Sequence, residues 1–366
     1  MRKNASDGLV ARFSDALARF GFSPSQRSAI AVSGGGDSIA LMHLLAEWCT
    51  AKKAASPVVL TVDHGLRAES HGEALQVKFW AEAIRLPAFV LVWRGPKPAT
   101  AIEEKARAAR YRLMGRYCVE HDITSLFLGH TRDDEAENFL LRLGRGSGVD
   151  GLAAMNAAGA LPMPGLQSVR LLRPLLDFGR GELRDYLNRR GASWFDDPMN
   201  DDVRFARNRI RKLIPALAEA GIPAGRIVDA SRHLARARTA LDCATQAFLA
   251  EHAEFGGSTA ILDTEALANL PREIGLRALS QALLRVSARE YRPRFARLER
   301  LFDAIISSGF RRQTLAGCCI ERPGRSSPGF GLNSVSIRPE ASRKALARPR
   351  NTGSDLAEGV PDGKLP

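Results

Sequence analysis

Several features that would assign this sequence to common classes of protein are missing. No run of about 18 uninterrupted apolar residues is present, so we expect no membrane-spanning segment. The first residues, MRKNASDGLVARF, lack the apolar stretch of a secretory signal. The five cysteines show no CxxC spacing, which disfavours a disulfide scaffold and a cysteine-ligated zinc site. These absences favour a reducing compartment, and we expect a cytoplasmic location.

Acidic residues are outnumbered in this chain of 366 residues. Lys and Arg total 53 against 40 Asp and Glu, which gives a formal net charge of +13. Such an excess favours a polyanionic partner, and nucleic acid is the natural candidate. The apolar fraction of 45% is ordinary for a globular protein, and the length suits two or three domains.

In the first part of the chain, short apolar strands alternate with amphipathic helices. This alternation predicts an α/β fold with a doubly wound, mostly parallel sheet. Helices are expected at 8–21, 41–48, 70–85, 101–120, 132–143 and 180–190, and strands at 28–33, 57–63, 87–93 and 125–129.

The pattern changes near Pro215. Residues 226–252 and 264–308 have the periodicity of helices, and 313–338 suggest a few short strands. We therefore divide the chain into an N-terminal helix (1–24), a catalytic α/β domain (25–215), a mainly helical region (216–340) and a disordered tail (341–366).

A glycine-rich loop follows the first predicted strand. Its residues are Ser33, Gly34, Gly35, Gly36, Asp37 and Ser38. Glycines let a backbone approach an anion closely, and the start of the following helix favours phosphate. A Walker A loop would need a Lys after the glycines, and a dinucleotide fingerprint would need Gly where Ile39 stands. An ordinary glycine turn is the structural alternative.

Asp37 is unexpected in a loop that would bind bare phosphate. An acidic side chain makes sense there if Mg²⁺ lies between the carboxylate and the phosphate oxygens. The loop therefore predicts a nucleotide site with a metal ion at Asp37.

The SGGxDS motif after an N-terminal strand resembles the PP-loop of the N-type ATP pyrophosphatases, which have an adenine nucleotide alpha hydrolase-like fold. That family cleaves ATP between the α and β phosphates and transfers AMP to an oxygen. The motif alone leaves GMP and NAD synthetases, tRNA thiolases and tRNA(Ile)-lysidine synthetases open.

Four further segments resemble the lysidine synthetases specifically. They span about residues 25–215 in the family's order. The segments are VDHGLR at 62–67, the E-x-x-AR-x-x-RY pattern at 103–111, GHTRDDEAE at 129–137 with LLRLGRGSG at 140–148, and DPMN at 197–200 with RNRIR at 207–211. Thr131, Glu135, Asn138 and Met199 replace the family's His, Gln, Thr and Ser, and no carboxylate or arginine is lost.

The matched segments contain candidate catalytic residues. Asp134 and Glu137 share one helix face and could bind a metal, a water or the ammonium group of lysine. Arg107 and Arg110 are spaced likewise and could neutralise phosphate oxygens. Asp63, at a strand end, could bind the ribose or adenine. Each has a structural alternative, namely a solvated acidic helix start, surface salt bridges and a loop cap.

Residues 203–212, VRFARNRIRK, contain five basic residues and no acid. A basic helix with an interleaved aromatic suits RNA phosphates, although a solvated cationic helix is the alternative. In the family this region faces tRNA. The residues assigned to tRNA are Asn200, Arg204, Arg207, Arg209 and Arg211.

The resemblance implies a ligase acting on the wobble cytidine of the tRNA(Ile) with anticodon CAU. ATP adenylates the C2 oxygen, and the ε-amine of free lysine displaces AMP to form lysidine. The product reads AUA instead of AUG, and the tRNA identity changes from Met to Ile. The implied cofactors are ATP as substrate and Mg²⁺, and a homodimer is compatible with the resemblance.

Two other functions stay open on the sequence. One is a different PP-loop enzyme, such as a tRNA thiolase, although thiolases commonly use paired cysteines. The other is a non-catalytic RNA-binding homologue, against which the intact loop and the two carboxylates argue.

Overall fold

The computed structural model describes residues 3–196, 206–289, 291–307, 309–322 and 333–340. The chain divides into two compact units, Met1–Arg238 and Thr239–Pro366. The first unit therefore extends beyond the predicted catalytic domain, which ended at residue 215. It also includes the N-terminal helix, because Phe13 and Leu17 are fully buried in the same core as Ile30 and Leu44.

A six-stranded sheet forms the centre of the first unit. Its strands are β1 (Ser28–Ala31), β2 (Val58–Asp63), β3 (Ala88–Val92), β4 (Ser125–Leu128), β5 (Ala158–Ala160) and β6 (Arg170–Leu172). Their order is β3-β2-β1-β4-β6-β5, and every neighbouring pair is parallel except β5 and β6. The predicted doubly wound, mostly parallel sheet is confirmed. The three-residue strands β5 and β6 were not predicted, because they are too short to show a period.

Helices cover both faces of this sheet. They are α1 (Lys3–Arg19), α2 (Gly36–Lys52), α3 (Ser70–Ala83), α4 (Ile102–Glu120), α5 (Arg132–Leu143), α6 (Val149–Leu152), α7 (Arg180–Arg190) and α8 (Ala206–Glu219). One core joins α1, α2 and α7 to the sheet, with Tyr186 fully buried. A second core lies under α4, where Met114 and Cys118 pack on Leu60 and Leu126.

The central strand β1 pairs with β2 on one side and with β4 on the other. Ile30 is the register partner of both Val59 and Phe127. The chain runs from β1 to β2 and β3 on one side, then crosses to β4 on the other. In open α/β sheets, ligands bind at such a switch point, beyond the carboxyl ends of the strands. The loops after β1 and β4 therefore mark the place to look for a site.

The second unit contains a five-stranded antiparallel sheet. Its strands are β7 (Ala253–Gly256), β8 (Thr259–Asp263), β9 (Arg312–Leu315), β10 (Cys318–Glu321) and β11 (Ser334–Pro339), in the order β7-β8-β11-β10-β9. Leu279, Leu301 and Ile320 belong to its apolar core. Helix α9 (Ala224–His252) crosses the division between the units.

The predicted helical segment 264–308 consists of three helices. They are α10 (Thr264–Ala268), α11 (Arg272–Ser287) and α12 (Phe295–Ile306). Pro271 is the N-cap of α11, and Pro293 lies just before Arg294, the N-cap of α12. Proline fixes φ and lacks an N–H donor, which explains both breaks.

Two further expectations bear on the molecule as a whole. Among the helices of the described ranges, none combines the length and apolarity that crossing a bilayer requires. All five cysteines are free thiols, and Cys243 is the exposed one. The predicted tail, 341–366, lies outside the described residues.

Candidate active site

The glycine-rich loop joins β1 to α2 and packs closely against two other segments. Gly34 has φ of +91°, and a Cβ atom there would lie 2.6 Å from Cδ2 of Phe195. Gly129, just after β4, would place a Cβ atom 3.1 Å from Cα of Ser38. Both contacts require glycine, since a side chain at either position would overlap a neighbour.

Hydrogen bonds within the loop hold its shape. The Ser38 hydroxyl donates to the Gly35 carbonyl at 2.8 Å, and the Ser33 N–H donates to the Ser38 hydroxyl at 3.2 Å. Gly35, the N-cap of α2, has no side chain that could cap the helix. The first amide groups of α2 are therefore available to an anion at the helix start.

An open cleft of about 690 Å³ lies in front of this loop. Its size suits a nucleotide-sized ligand. The cleft is formed by the ends of β1, β2 and β4 together with α4 and the start of α7. Its lining includes Ser33, Gly35, Gly36, Asp37, Ser38, His64, Arg107, Arg110, His130, Asp134, Arg180 and Arg211.

Helix α5 has a well-capped first turn, and Asp134 in that turn lines this cleft. The Thr131 hydroxyl accepts from the Asp134 N–H at 3.3 Å, and the Thr131 N–H donates to Asp134 Oδ2 at 2.8 Å. This reciprocal pair is a capping box. Thr131, which departs from the family pattern, thus supplies the N-cap and leaves Asp134 Oδ1 directed at other partners.

Arg180, the first residue of α7, connects the loop to α5. Its Nε donates to Asp37 Oδ2 at 3.2 Å, its Nη2 to Asp134 Oδ1 at 3.1 Å and its Nη1 to Glu137 Oε1 at 3.0 Å. The side chain of Glu137 is 1% exposed and that of Arg180 is 19% exposed. A single guanidinium therefore binds three carboxylates from two different elements.

Two arginines of α8 complete the charge cluster. Arg207 donates to Glu137 Oε2 at 2.7 Å and to Asp134 Oδ1 at 2.9 Å. Arg211 donates to Glu137 Oε1 at 2.9 Å. Three guanidinium groups thus face three carboxylates, and we define these six residues as the charge cluster: Asp37, Asp134, Glu137, Arg180, Arg207 and Arg211.

Contacts within the cluster shift the pKa values of Glu137 and Arg180. Burial alone would raise the pKa of Glu137, but Arg211, Arg180 and Arg207 outweigh it and lower that pKa to about 2. Burial opposes the charge of Arg180, yet Asp37, Glu137 and Asp134 raise its pKa above the ordinary value. Burial raises the pKa of Asp37, which the Arg180 charge partly offsets.

His130 stands between β4 and α5 at the cleft. Arg173 Nε donates to its Nδ1 at 3.3 Å, which leaves Nε2 as the protonated nitrogen of a neutral ring. Burial, partly offset by Asp134 and assisted by Arg173, lowers the pKa of His130 to about 4. The ring is therefore a neutral hydrogen-bond donor at physiological pH.

The carboxylate of Asp63 is occupied by its own loop. It accepts from the Gly65 N–H at 3.0 Å and from the Ser70 hydroxyl, and His71 Nδ1 lies 3.1 Å from its second oxygen. These contacts have the geometry of a loop cap, and the cleft is lined by the neighbouring residues Val62 and His64. The predicted contact of Asp63 with ribose or adenine stays a prediction.

The two predicted arginines of α4 both line the cleft. Arg107 donates to the Tyr111 hydroxyl at 2.6 Å. Their position beside the phosphate loop is compatible with binding phosphate oxygens.

The residues of the basic segment that were predicted to contact tRNA have three different placements. Arg207 and Arg211, predicted to contact tRNA, turn towards α5 and bind its carboxylates. Arg209 is exposed on the same helix. Asn200 and Arg204 lie outside the described residues.

Sequence reasoning missed Arg180 and Arg173. Neither belongs to a motif with glycines or paired carboxylates, and each lies far along the chain from its partners. Arg180 is 143 residues from Asp37. The sequence feature that could have identified Arg180 is its position at the start of the helix that follows the last strand of the sheet.

The donor set bears on which metal could bind. Within the described ranges, no group of three or more His, Cys, Asp or Glu side chains is arranged as a metal site. Mg²⁺ needs less, since one protein carboxylate and substrate phosphates suffice. Asp37, at the phosphate loop, fits that requirement.

Comparison with known proteins identifies the family. Residues 8–217 match the ATP_bind_3 model, a PP-loop domain. The chain is 39% identical over 308 residues to the tRNA(Ile)-lysidine synthase of Ruegeria pomeroyi, covering 84% of this chain and 72% of that protein. It is 40% identical over 309 residues to that of Rhodopseudomonas palustris, covering 81% and 87%.

A solved structure shares the fold at much lower identity. The U34-tRNA thiolase NcsA from Methanococcus maripaludis, with its [4Fe-4S] cluster, superimposes with a TM-score of 0.55 and 16% identity, covering 64% of this chain and 81% of that one. This similarity shows the fold alone. With a PP-loop domain matched over most of the first unit and relatives of this identity over four fifths of the sequence, the chain belongs to the tRNA(Ile)-lysidine synthase family.

Proposed function

We propose that this protein uses ATP to attach free L-lysine to C2 of the wobble cytidine in tRNA(Ile), forming lysidine. The substrate is the tRNA with a CAU anticodon, whose modified base reads AUA instead of AUG. The observation that supports the proposal is the convergence, at one edge of the sheet, of a phosphate loop and the charge cluster. Membership in the tRNA(Ile)-lysidine synthase family narrows the chemistry expected at this site to lysidine formation.

The phosphate loop serves the first step. The C2 oxygen of cytidine attacks the α-phosphorus of ATP, the bond from that phosphorus to the bridging oxygen breaks, and pyrophosphate leaves. Negative charge grows on the phosphate oxygens during this step. The start of α2 and the cleft arginines Arg107 and Arg110 are placed to stabilise it.

Asp37 would hold Mg²⁺ at the phosphate loop. When bound, the ion supplies charge neutralisation at the phosphates. The fit of Asp37 supports this assignment, and the residues of the loop keep their own roles in holding the nucleotide.

The carboxylates of α5 serve the second step. The ε-amine of lysine, having lost a proton, forms a bond to C2, the C2–O bond breaks, and AMP leaves. The carboxyl oxygens of Asp134 and Glu137 are acceptors suited to hold the ammonium form of lysine beside the base. Since the two carboxylates carry arginine partners in this structure, a lysine ammonium would exchange with one of those guanidinium groups.

The tRNA binds to the exposed side of α8 in the first unit, which we call the basic surface. Arg209 on α8 is exposed there, and Asn200 and Arg204 precede it in the chain. Single-stranded bases of an anticodon loop can turn out of their stack and enter a cleft, as this chemistry requires. The homodimer that the resemblance allows remains a prediction for sedimentation measurements.

The test is incubation with ATP, Mg²⁺, labelled lysine and a tRNA(Ile) transcript with the CAU anticodon. A tRNA(Met) transcript with the same anticodon is the control. We expect ATP-dependent label in the tRNA(Ile) transcript and none in tRNA(Met). Pyrophosphate release that depends on tRNA but adds no lysine would keep the ATP chemistry and reject lysine as the nucleophile. Activity in neither assay would favour a non-catalytic RNA-binding protein.

A further inference from the structure

We propose that Arg180 is a positioning residue that fixes the phosphate loop relative to helix α5, so that adenylation and lysine attack occur without the base moving between them. The inference rests on the proposed function and adds a residue to it. Among the residues that the structure describes, Arg180 carries a guanidinium that touches carboxylates assigned to both steps.

All three nitrogen atoms of the Arg180 guanidinium donate a hydrogen bond to a carboxylate. Nε donates to Asp37, Nη1 to Glu137 and Nη2 to Asp134, at 3.2, 3.0 and 3.1 Å. A guanidinium is planar, and its N–H bonds have fixed directions, so three such contacts define an orientation. Asp37 on the loop is thereby held at a set distance from the two carboxylates on α5.

The backbone of Arg180 is fixed independently of its side chain. Its N–H donates to Asp133 Oδ2 at 2.7 Å, and Glu182 Oε1 accepts from the Gly179 N–H at 2.6 Å. Leu183 then anchors α7 in the core. The start of α7 is therefore attached to the first turn of α5 even without the guanidinium, and a variant at this position is expected to fold.

The three arginines of the charge cluster are not equivalent. The contacts of Arg207 and Arg211 given above are made with carboxylates of α5, whereas Arg180 reaches across to the loop. Exchange of an α8 arginine for lysine would thus leave the link between loop and α5 in place. Arg180 is the member of the cluster placed to keep the two halves of the site in register.

A lysine side chain cannot replace this arrangement. Its ammonium is a compact charge on a flexible stem and cannot present three fixed donors to carboxylates on separate elements. Arg180→Lys therefore keeps the charge and removes the geometry, which separates positioning from simple neutralisation. Arg189→Gln removes one charge from the exposed last turn of the same helix and is the matched control.

The test compares wild type, Arg180→Gln, Arg180→Lys and Arg189→Gln in the presence of tRNA(Ile), ATP and lysine. Pyrophosphate released and lysine incorporated are measured in the same reaction, together with the KM for ATP and the thermal midpoint. Both Arg180 variants should lose about 100-fold in lysine incorporation, the scale of a displacement near 1 Å at a reacting centre. Pyrophosphate release should fall less, so the pyrophosphate-to-lysine ratio should rise above the wild-type ratio.

Three results would overturn the inference. These are full activity of Arg180→Lys, an unchanged pyrophosphate-to-lysine ratio in both variants, and equal loss in Arg189→Gln. If Arg180→Gln lowers the thermal midpoint, the pyrophosphate-to-lysine ratio of Arg180→Lys decides the test. Failure of the proposed function is seen separately, as absence of lysine incorporation by the wild-type protein.

Discussion

The phosphate loop and the charge cluster share Asp37 but are built in opposite ways. The loop consists of consecutive residues, 33–38, and its shape comes from glycine conformations and from hydrogen bonds between the Ser38 hydroxyl and the loop backbone. The cluster gathers side chains from the loop, α5, α7 and α8, and its geometry comes from ion pairs. Its partners are as far apart in the chain as Asp37 and Arg180, 143 residues.

The two constructions suit different tasks. A backbone cradle presents N–H donors at fixed positions to any phosphate. An ion-pair cluster can exchange one cation for another, because a guanidinium and a lysine ammonium compete for the same oxygens. We therefore assign ATP to the phosphate loop and lysine to the charge cluster.

Removal of the shared carboxylate should have the largest effect. Asp37→Ala is expected to lower adenylation by about 100- to 1000-fold, because the loop loses the carboxylate that would hold Mg²⁺ at the phosphates. Binding of tRNA should stay within about twofold, since Asp37 is not on the basic surface. Pyrophosphate release and tRNA affinity are the two measurements. Asp185→Ala, on an exposed position of α7, is the control. Full activity of Asp37→Ala would remove the metal assignment.

Glu137→Gln tests the second member of the comparison, the charge cluster. It removes an ionised carboxylate whose pKa is held at about 2, and the arginines around it lose their partner. Lysine incorporation should fall about 100-fold, with a raised KM for lysine. Adenylation should be affected much less.

The matched control for Glu137→Gln lies two residues away on the same helix. Glu135 is also buried, and it accepts from the Ser231 hydroxyl at 2.8 Å instead of facing the cleft. The family pattern has Gln at this position, so Glu135→Gln should retain activity. Equal loss in both variants would show that buried charge on α5, and not lysine binding, explains the effect.

A smaller effect is expected at the RNA surface. Arg209→Ala should weaken tRNA binding and reduce the salt dependence of the affinity by about one phosphate contact. Filter binding over a range of salt concentrations measures both. Arg189→Ala is the control, and an unchanged slope for Arg209→Ala would place the RNA elsewhere on the protein.

The smallest effect concerns the neutral histidine. Its pKa is about 4 in the folded protein and 6.5 in the unfolded chain, so the unfolded state binds more protons between these values. The contribution of His130 to stability is therefore full above pH 6.5 and is lost as the pH falls towards 4. The slope is at most about 1.4 kcal/mol per pH unit. His130→Asn should flatten the dependence of urea unfolding on pH in this window, whereas the exposed His233→Asn should not.

The sequence predicted the part of the site that is built from neighbouring residues. It missed contacts between residues that lie far apart in the chain. The alternation of elements and the SGGGDS motif are properties of neighbouring residues, and the parallel sheet is confirmed. The paired carboxylates Asp134 and Glu137 were also recognised, since their i, i+3 spacing lies within one helix. Arg180 was not, because an arginine at the start of a helix has no distinguishing neighbour.

The partners of the basic segment show the same limit. Charge and spacing predicted RNA contacts for Arg207 and Arg211 but not their ion pairs with the buried Glu137 carboxylate; the RNA contacts stay a prediction. Which anion an arginine meets depends on tertiary packing, and composition carries no record of it. In the second unit, the short strands expected at 313–338 are present as β9, β10 and β11, whereas the four- and five-residue strands β7 and β8 were not predicted.

The most direct test follows the label of ATP in the absence of lysine. Incubation of tRNA(Ile) with ATP labelled in the α-phosphate should place AMP on the RNA, and a later addition of lysine should release it. The account predicts that Asp37→Ala places no AMP on the RNA. Glu137→Gln should accumulate adenylated RNA that lysine fails to discharge. If both variants stop at the same step, the division of the site into a phosphate loop for ATP and a charge cluster for lysine is contradicted.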